Sequence, residues 1–403
     1  MKSKKSLLKS ESDVSRINRT KVLQLIREEK EITRLDIISK TGLSAPTISR
    51  ITETLRSKKL IVQEELGQSS GGRPPQILRL NSKNNFVIGI DIGGDFIRAI
   101  YSNLDGEFIY EIHIPTEIEL GFKGIMKKVG GLIQKLEERG EGDDRRVFGV
   151  GIAVAGVVDR KTEKVLYSPV LNWENVDVKE VLKNYTDLNI SIGNVANLIA
   201  IGELFYGIGS TFDSFIAINL EYGIGTGIVI NRELFLGSSG FSGELGHIVI
   251  QEDEQRLGRD GIEGTLEAHA SSYEMVNIIK ERIAKGEHSI LEDLKGSISI
   301  YDVVDAAKEG DKLSIEVLDL ATDLIAKSVD TLIKLFDPEA VTISGGISIK
   351  ESFFDDILKK LEKTSLPNHP TIVPVIPSTF KEQGALMGAF SLVLNKIMRL
   401  DYE

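Results

Sequence analysis

The sequence predicts an N-terminal winged helix-turn-helix, followed by an α/β body of two similar lobes around a cleft. Helical spacing of apolar residues, broken by a Gly turn, fills the first part of the chain. Beyond residue 85, apolar strands alternate with helices, and a hairpin opens each half. The balance of basic and acidic residues changes at the same place. Residues 1–84 carry 18 Lys and Arg against 9 Asp and Glu, and the remaining residues carry 31 against 51, giving the net charge of −11. A small basic segment on an acidic body is typical of a nucleic-acid reader joined to another domain.

Length and composition exclude several classes of protein. The 403 residues are enough for two or three domains. The absence of Cys excludes disulfides, thiolate zinc sites and Cys nucleophiles. No apolar run approaches the roughly 20 residues of a membrane helix. Residues 1–9 are basic but lack the apolar core of a signal peptide, so they are interpreted as a mobile arm, and a cytoplasmic protein is expected.

The basic segment has the pattern of a helix-turn-helix. A first helix is predicted to end near Glu29, and Thr33 is suited to cap the N-terminus of a second. Gly42 is suited to a left-handed C-cap. Ser44 is predicted to cap the third helix, with Pro46 in its first turn.

The third helix is predicted to read DNA. Its buried face consists of Ile48, Ile51 and Leu55. Short polar side chains on its opposite face suit base edges, and Arg50 and Lys58 suit phosphates. The candidate DNA contacts are Ser44, Ala45, Pro46, Thr47, Ser49, Arg50 and Arg73.

Two short strands, 60–62 and 77–80, are predicted to flank a wing whose tip is the Gly- and Pro-rich stretch 69–75. Arg73, between Gly and Pro, has the extended setting that suits minor-groove insertion. A three-helix unit is also a common structural or protein-binding module, but the wing and the charge favour DNA binding. A short linker, 81–85, is expected to hold the reader close to the body.

The body resembles a known family through five motifs in one order. They are Asp91-Ile92-Gly93-Gly94, Asn194-Val195-Ala196-Asn197, Gly243-Glu244-Leu245-Gly246-His247, Gly264-Thr265-Leu266-Glu267 and Ser344-Gly345-Gly346. This order resembles the ROK family (repressor, ORF, kinase), of the two-lobed actin-like ATPase fold, which is ribonuclease H-like. The family's repressor branch also has an N-terminal winged helix with a Gly-Arg-Pro wing, so the resemblance covers nearly the whole chain. It implies a DNA-binding domain over 1–80, an N-lobe over 86–200 plus 380–403, and a C-lobe over 201–379.

Three departures from the family pattern predict that phosphotransfer is lost. Val195 stands where the family's kinases have the Asp that takes the proton of the sugar hydroxyl, and general-base help is worth about 10²–10⁴-fold. Asp95 replaces a Thr in the first phosphate turn, and Glu221 and Tyr222 replace small residues at the second. Asp95 and Glu221 could instead be Mg²⁺ ligands, but three losses in one mechanism favour an inactive site.

The family's zinc loop is also altered. The positions of its three cysteines are Gly258, Asp260 and Thr265. His247 is kept, but one His and one Asp do not make a closed four-ligand site. Packing of Leu257 and Ile262 is expected to replace the metal in part. No metal and no cofactor are expected.

The resemblance implies a sugar-hydroxyl site made of Asn172, Asn194, Glu244, His247 and Glu267. Carboxylates and imidazole suit hydroxyls because they offer directional acceptors and a donor. The alternative is that His247 is a satisfied buried histidine with structural Glu partners.

The sequence therefore predicts a sugar-responsive transcriptional regulator, a repressor of carbohydrate-utilisation genes, with a catalytically silent kinase fold as its sensor. Operator DNA, a sugar or sugar derivative, and a second copy of the chain are the expected partners, because helix-turn-helix proteins usually read two half-sites. The alternatives are a bifunctional ATP-dependent sugar kinase and a regulator that responds to a partner protein.

Overall fold

The structure, a computed structural model of the chain, describes residues 11–65, 76–139, 145–251, 256–294, 297–364 and 372–399. The basic arm, 1–9, and the wing tip with Arg73 lie outside these residues. Within them, no helix is both long and apolar enough to cross a membrane.

The N-terminal unit contains three helices and a three-stranded sheet. Its elements are α1 (Glu11–Glu29), β1 (Ile32–Thr33), α2 (Arg34–Thr41), α3 (Ala45–Ser57), β2 (Ile61–Glu65) and β3 (Gln76–Leu80). Thr33 caps α2 in a reciprocal box with Asp36, and Gly42 ends it in the left-handed region at φ 70°, as predicted. The sheet order is β1-β3-β2, and the two-residue strand β1 was not predicted.

The prediction that Ser44 caps α3 is wrong in one respect. Ser44 stands at the N-cap position, but its side chain bonds no backbone N–H. Its hydroxyl instead lies 2.9 Å from that of Thr47. The two hydroxyls satisfy each other on the exposed front of the helix, which is the face predicted to meet DNA.

The first lobe is a five-stranded sheet with the order β11-β7-β4-β5-β6. Strands β4, β5 and β6 form an antiparallel meander, and β7 and β11 add in parallel. Its elements, with a small side sheet of β8 to β10, are β4 (Asn85–Ile92), β5 (Phe96–Asn103), β6 (Phe108–Pro115), α4 (Gly121–Arg139), β7 (Arg146–Val154), β8 (Val157–Val158), β9 (Val165–Ser168), β10 (Trp173–Val176), α5 (Val178–Leu182), β11 (Ile190–Asn194) and α6 (Val195–Tyr206).

The second lobe repeats this topology. Its sheet order is β14-β13-β12-β15-β16, again an antiparallel meander extended by two parallel strands. Its elements are β12 (Phe215–Leu220), β13 (Ile224–Ile230), β14 (Glu233–Leu234), α7 (Leu266–Ala270), α8 (Ser272–Ala284), α9 (Ile300–Lys308), α10 (Lys312–Phe336), β15 (Ala340–Ser344), α11 (Glu351–Thr364) and β16 (Val375–Pro377). The last helix, α12 (Gly384–Arg399), returns to the first lobe, where it shares a buried cluster with Val87 and Ile100. The repeat confirms the predicted pair of similar lobes.

The N-terminal unit shares its hydrophobic core with the body. Val22 and Ile26 of α1 belong to the same buried cluster as Phe390 and Ile397 of α12. Since buried apolar contact is the main source of cohesion between elements, α12 joins the DNA-binding unit to the first lobe.

The predicted linker, 81–85, is a turn whose ends are buried and whose central residue, Lys83, is exposed. Asn81 is 9% exposed and Asn85 is 1% exposed. Their side-chain amides donate to the backbone oxygen of Lys59, at 2.9 and 2.7 Å. Buried amides of this kind are costly to detach, so the turn ties the wing strands to β4.

Helices α6 and α12 pack closely across the centre of the molecule. At Gly388 of α12, a Cβ would lie 2.1 Å from the backbone oxygen of Leu198 in α6, so only glycine fits. Close backbone contact of this kind couples the position of one helix to that of the other.

Candidate ligand cavity and DNA-binding unit

A cavity of about 410 Å³ lies in the cleft between the two sheets. Its walls include the ends of β4 and β11, the start of α6 and the turn between β12 and β13. Ligands of open α/β sheets bind at such strand ends. Of the predicted sugar-binding residues, four line the cavity, namely Asn194, Glu244, His247 and Glu267. Asn172 does not; it is exposed, with a left-handed φ of 56°.

Three of these residues form a compact group, called here the hydroxyl cluster: Glu244, His247 and Glu267. The Nε2 atom of His247 lies 3.6 Å from Oε2 of Glu244. The carboxylate of Glu267 accepts a hydrogen bond from the backbone N–H of Ile224 at 2.8 Å. Glu267 is buried and Glu244 is half-buried, so the cluster offers two acceptors and a donor to a bound molecule.

Burial raises the pKa of both carboxyl groups in the hydroxyl cluster. Desolvation disfavours the ionised form of Glu244 and of Glu267, and the negative charge of Glu267 adds repulsion at Glu244. The charge of His247 lowers the pKa of both carboxyl groups. A bound molecule that donates hydrogen bonds to these oxygens would therefore relieve an unfavourable arrangement of charge.

His247 is oriented by Asp260, a contact that the sequence reasoning missed. The Nδ1 atom of His247 lies 2.5 Å from Oδ2 of Asp260. Burial alone would lower the pKa of His247, but the bond to Asp260 and the charges of Glu267 and Glu244 outweigh it and raise the pKa. The imidazole is thus held with Nδ1 toward Asp260 and Nε2 toward the cavity. The signal in the sequence was an Asp at a family cysteine position beside a retained His.

Apolar packing was expected to replace a metal in part in the loop around Asp260. Among the described residues, no group of three or more metal-ligating side chains could hold an ion. The expected apolar packing is wrong, because Leu257 and Ile262 are 58% and 45% exposed.

Ionic and hydrogen bonds anchor this loop instead. Arg256 donates to Glu274 and Glu281, both at 2.9 Å, and to the backbone oxygen of Ala268 at 2.9 Å. Glu274 is buried, so its pair with Arg256 is shielded from solvent.

Asn194 has a structural task. Its Oδ1 accepts from the N–H groups of Ala196 and Asn197, at 2.9 and 3.1 Å, and caps α6. Its Nδ2 donates to the oxygen of Gly156 at 2.9 Å. The residue lines the cavity, yet its acceptor oxygen is already engaged by the helix.

A second group of cavity residues is called here the phosphate end: the turn 93–95, the run 221–223 and Val195. Val195 is the first residue of α6 and lines the cavity. Partial desolvation raises the pKa of Asp95, although its side chain is exposed, and Arg259 opposes this shift. Burial also raises the pKa of Glu221 to about 7, against the pull of Arg98.

Tyr222 occupies the space beside the first glycine turn. A Cβ at Gly94 would lie 2.9 Å from its ring. Arg259 lies over Tyr222 at 4.0 Å and over Tyr273 at 3.9 Å, measured to the ring centroids, and donates to the backbone oxygen of Tyr222 at 3.1 Å. The guanidinium packs against both rings, whose own centroids are 4.6 Å apart. This group of Tyr222, Arg259 and Tyr273, called here the Tyr222 stack, fills the space beside the turn with protein atoms. The sequence predicted the bulk of Tyr222 but not its partners.

The predicted DNA-reading face of α3 is open to solvent over most of its length. Ser44, Ala45, Pro46, Ser49 and Arg50 are exposed. Thr47 is half-buried, and Ile48, Ile51 and Leu55 are buried, as predicted.

Comparison with known proteins identifies a family and relatives that share this architecture. Residues 87–396 match the ROK family. The chain is 28% identical to a xylose repressor of Caldicellulosiruptor bescii, over 96% of this chain and 97% of the relative. It is 30% identical to a glucokinase of Thermotoga maritima, over 77% of this chain and 98% of the relative. A solved ROK family transcriptional regulator, described as a homologue of the Escherichia coli MLC protein, superposes with a TM-score of 0.82 at 26% identity, covering 96% of this chain and 98% of its own.

Proposed function

This chain belongs to the ROK family, and on that premise we propose that it is a sugar-responsive transcriptional repressor whose two-lobed, actin-like body senses the sugar without phosphorylating it. The xylose repressor matches along nearly the full chain, winged helix included, whereas the glucokinase matches the body. The regulated genes would be those of carbohydrate utilisation.

The DNA-binding role rests on the winged helix-turn-helix. The exposed front of α3 carries short polar side chains and Arg50, which suit base edges and phosphates. Arg73 of the wing is proposed to enter the minor groove. A homodimer would present two copies of α3 to two half-sites of an operator.

The sugar-binding role rests on the hydroxyl cluster. Its carboxylates and the Asp260-oriented imidazole face one cavity, and the family's glucokinase branch supports a sugar as the occupant. Asn194 contributes by capping α6, and Asn172 is not needed for this proposal.

The proposal that the protein does not phosphorylate the sugar rests on the residues of the phosphate end. Val195 has no group that accepts a proton from a hydroxyl. Asp95 and Glu221 would repel a polyphosphate, and the Tyr222 stack occupies the turn that would cradle it.

The observation that carries the regulatory part is the course of α6. The helix begins at the cavity with Val195 and ends at Tyr206. Arg27 of α1 lies 5.1 Å above the rings of both Phe205 and Tyr206. One helix, α6, thus contacts both the ligand cavity and the DNA-binding unit. Helix α12 packs against it.

The middle of α1 is fixed to α12. The hydroxyl of Thr20 donates to the backbone oxygen of Met398 at 3.1 Å. A sugar that favours one arrangement of the lobes would therefore favour one placement of α1, and DNA affinity would change by the difference in sugar affinity between the two arrangements.

Selection from a random-sequence double-stranded DNA library tests the proposal on the intact protein. Enrichment of a sequence with two-fold symmetry, followed by a change in its affinity when one sugar of a panel is added, is the expected result. Failure to enrich any sequence at low salt would contradict DNA binding. Enriched DNA whose affinity no sugar changes would favour a protein partner as the effector.

A further inference from the structure

We propose that the cavity takes an uncharged sugar and rejects sugar phosphates, and that Asp95 and Glu221 set this selectivity. The inference rests on the proposed function, since it concerns the ligand of the same cavity. It deepens that function by stating which chemical class of sugar acts as the effector.

The described residues that line the cavity carry a surplus of negative charge. Six are carboxylates, namely Asp91, Asp95, Glu221, Glu244, Glu267 and Glu382. Three are bases, namely Arg98, His113 and His247. With all six carboxylates ionised, the lining is net negative even if both histidines are protonated, and charge of one sign focused in a cleft repels ligands of that sign.

Each of the three bases already has an acidic partner. Arg98 donates to Asp91 through Nε and Nη2, at 2.9 and 2.6 Å. His113 lies 2.7 Å from Glu111. His247 is bonded to Asp260. A phosphate would have to compete with a carboxylate for every one of them, at a cost in desolvation and lost pairing.

The third donor nitrogen of Arg98 is also engaged. Its Nη1 donates to the backbone oxygen of Glu382 at 2.7 Å. The Nη2 atom lies 3.7 Å from Glu221, so the same guanidinium partly neutralises a second carboxylate. All three nitrogen atoms of the Arg98 guanidinium are therefore engaged by residues that line the cavity.

Three of the backbone groups that could bind an anion are occupied as well. A helix N-terminus is a ready anion site, but Asn194 takes the N–H groups of Ala196 and Asn197 at the start of α6. In the glycine turn, the N–H of Gly93 donates to the oxygen of Phe96 at 3.0 Å. Tyr222 covers Gly94 on the other side.

Arg259 is a further cation near this end. It does not line the cavity, and its guanidinium packs against the rings of Tyr222 and Tyr273. It also donates to the oxygen of Tyr222. Releasing it toward a phosphate would require the stack to open.

Asp95 and Glu221 belong to the phosphate end, and Glu244 and Glu267 belong to the hydroxyl cluster. A sugar in this cavity thus meets carboxylates in both groups. Hydroxyl groups donate to such oxygens, whereas a phosphate group beside either pair would face like charge.

Paired ligands test the inference on the full-length protein. Titration calorimetry would compare glucose with glucose 6-phosphate, mannose with mannose 6-phosphate, and xylose with xylose 5-phosphate, after a thermal-shift screen of the same compounds. At least one free sugar is expected to bind about tenfold or more tightly than its phosphate.

The variant Asp95→Asn/Glu221→Gln should narrow that ratio about tenfold, mainly by improving phosphate binding. Glu138→Gln is the matched control, because Glu138 is an exposed carboxylate at the end of α4 and outside the cavity lining. It should leave the ratio unchanged.

The outcomes separate this inference from the proposed function. Tighter binding of a sugar phosphate than of its free sugar would overturn the inference and leave the sugar response standing. An unchanged ratio in the double variant would overturn the role of Asp95 and Glu221. No binding by any sugar or sugar phosphate would overturn the sugar response and the inference together.

Discussion

Two groups of residues in one cavity differ in the chemistry they offer. The hydroxyl cluster brings Glu244, His247 and Glu267 to the cavity, with the imidazole oriented by Asp260. The phosphate end has a valine at the family's base position, the carboxylates of Asp95 and Glu221, and a tyrosine over the glycine turn. We propose from this contrast that sugar recognition can persist where phosphotransfer is lost, because each depends on different side chains of one cleft.

One loop lies beside both groups. Asp260 holds His247 of the hydroxyl cluster, and its neighbour Arg259 packs against Tyr222 and Tyr273 beside the phosphate end. The loop that holds zinc in the family's usual pattern is here fixed by ionic and cation–π contacts. It therefore contacts both groups of cavity residues.

The largest effect is expected from Glu267→Ala. Removing a buried carboxylate of the hydroxyl cluster should weaken sugar binding by about 2–3 kcal/mol, on the order of 100-fold. It also leaves the N–H of Ile224 without its acceptor, which should cost about 1–3 kcal/mol of stability. Titration calorimetry and thermal unfolding measure the two losses.

Glu267→Gln keeps an acceptor for Ile224 and separates these effects. It should recover most of the stability but not the affinity. Glu221→Gln, in the phosphate end, is the matched comparison and should bind the free sugar at least as well as wild type. Equal losses of affinity at Glu221 and Glu267 would erase the contrast between the two groups.

A smaller effect is expected from Asp260→Asn. Losing the negative charge beside Nδ1 should lower the pKa of His247 and weaken sugar binding at neutral pH by about 1 kcal/mol, roughly fivefold. A raised histidine pKa stabilises the fold below the ordinary histidine value near 6.5, and this contribution is lost as pH rises through the folded pKa.

The stability of wild type over Asp260→Asn should therefore be largest near pH 5.5 and should shrink by pH 9. Thermal unfolding of both proteins across this range measures the difference. A gap that does not change with pH would mean that Asp260 acts by packing alone, without holding a protonated imidazole.

A still smaller effect is expected from Glu221→Gln on stability. Because the pKa of Glu221 is raised to about 7, its folded state binds a proton more tightly than the unfolded chain does. Ionised Glu221 thus destabilises the fold above pH 7, and the penalty fades as pH falls toward the ordinary value near 4.3. The variant should be more stable than wild type above pH 7 by about 1 kcal/mol after allowing for solvent contact.

Denaturant titrations at pH 5 and pH 8 measure this gap. Arg98 keeps its bonds to Asp91 in the variant, so the local structure should persist. A variant less stable than wild type at pH 8 would show that Glu221 is a net stabilising partner of Arg98 and not a strained acid.

No gain at all is expected from Val195→Asp. Restoring a carboxylate at the family's base position leaves Asp95, Glu221 and the Tyr222 stack in place, so phosphate binding remains blocked. A coupled ADP-release assay with ATP, Mg²⁺ and a hexose panel should show no turnover for wild type or variant. Turnover by the variant would locate the loss of catalysis at Val195 alone, and turnover by wild type would establish a kinase.

Local patterns in the sequence predicted much of the fold. The capping box at Thr33, the left-handed Gly42 and the buried face of α3 follow from interactions within a few residues, and all three are present. The repeated lobes followed from the alternation of strands and helices.

Long-range contacts were beyond the reach of those patterns. Residues 81–85 looked like a polar linker, yet two of their amides bond to Lys59, more than 20 residues earlier. The contact of Arg27 with Phe205 and Tyr206 joins residues far apart in the chain. Neither contact produces a periodic pattern in the sequence, because each depends on how separate elements pack.

Only part of the candidate site could be predicted from the sequence, because its other contacts are also long-range. Glu244, His247 and Glu267 lie in recognisable motifs and meet at the cavity. Asn172 is exposed and outside the lining, since the backbone turns its position away after a buried leucine. The Tyr222–Arg259–Tyr273 stack unites three separate segments, so its partners could be found only in three dimensions.

The most direct test of the central claim is the affinity of the intact protein for its selected DNA, with and without saturating free sugar at fixed salt. The account predicts a change of at least about fivefold, the lower range for coupling between two sites, and no change in Glu267→Ala at the same sugar concentration. Identical DNA affinity with and without a sugar that calorimetry shows to be bound would contradict the account.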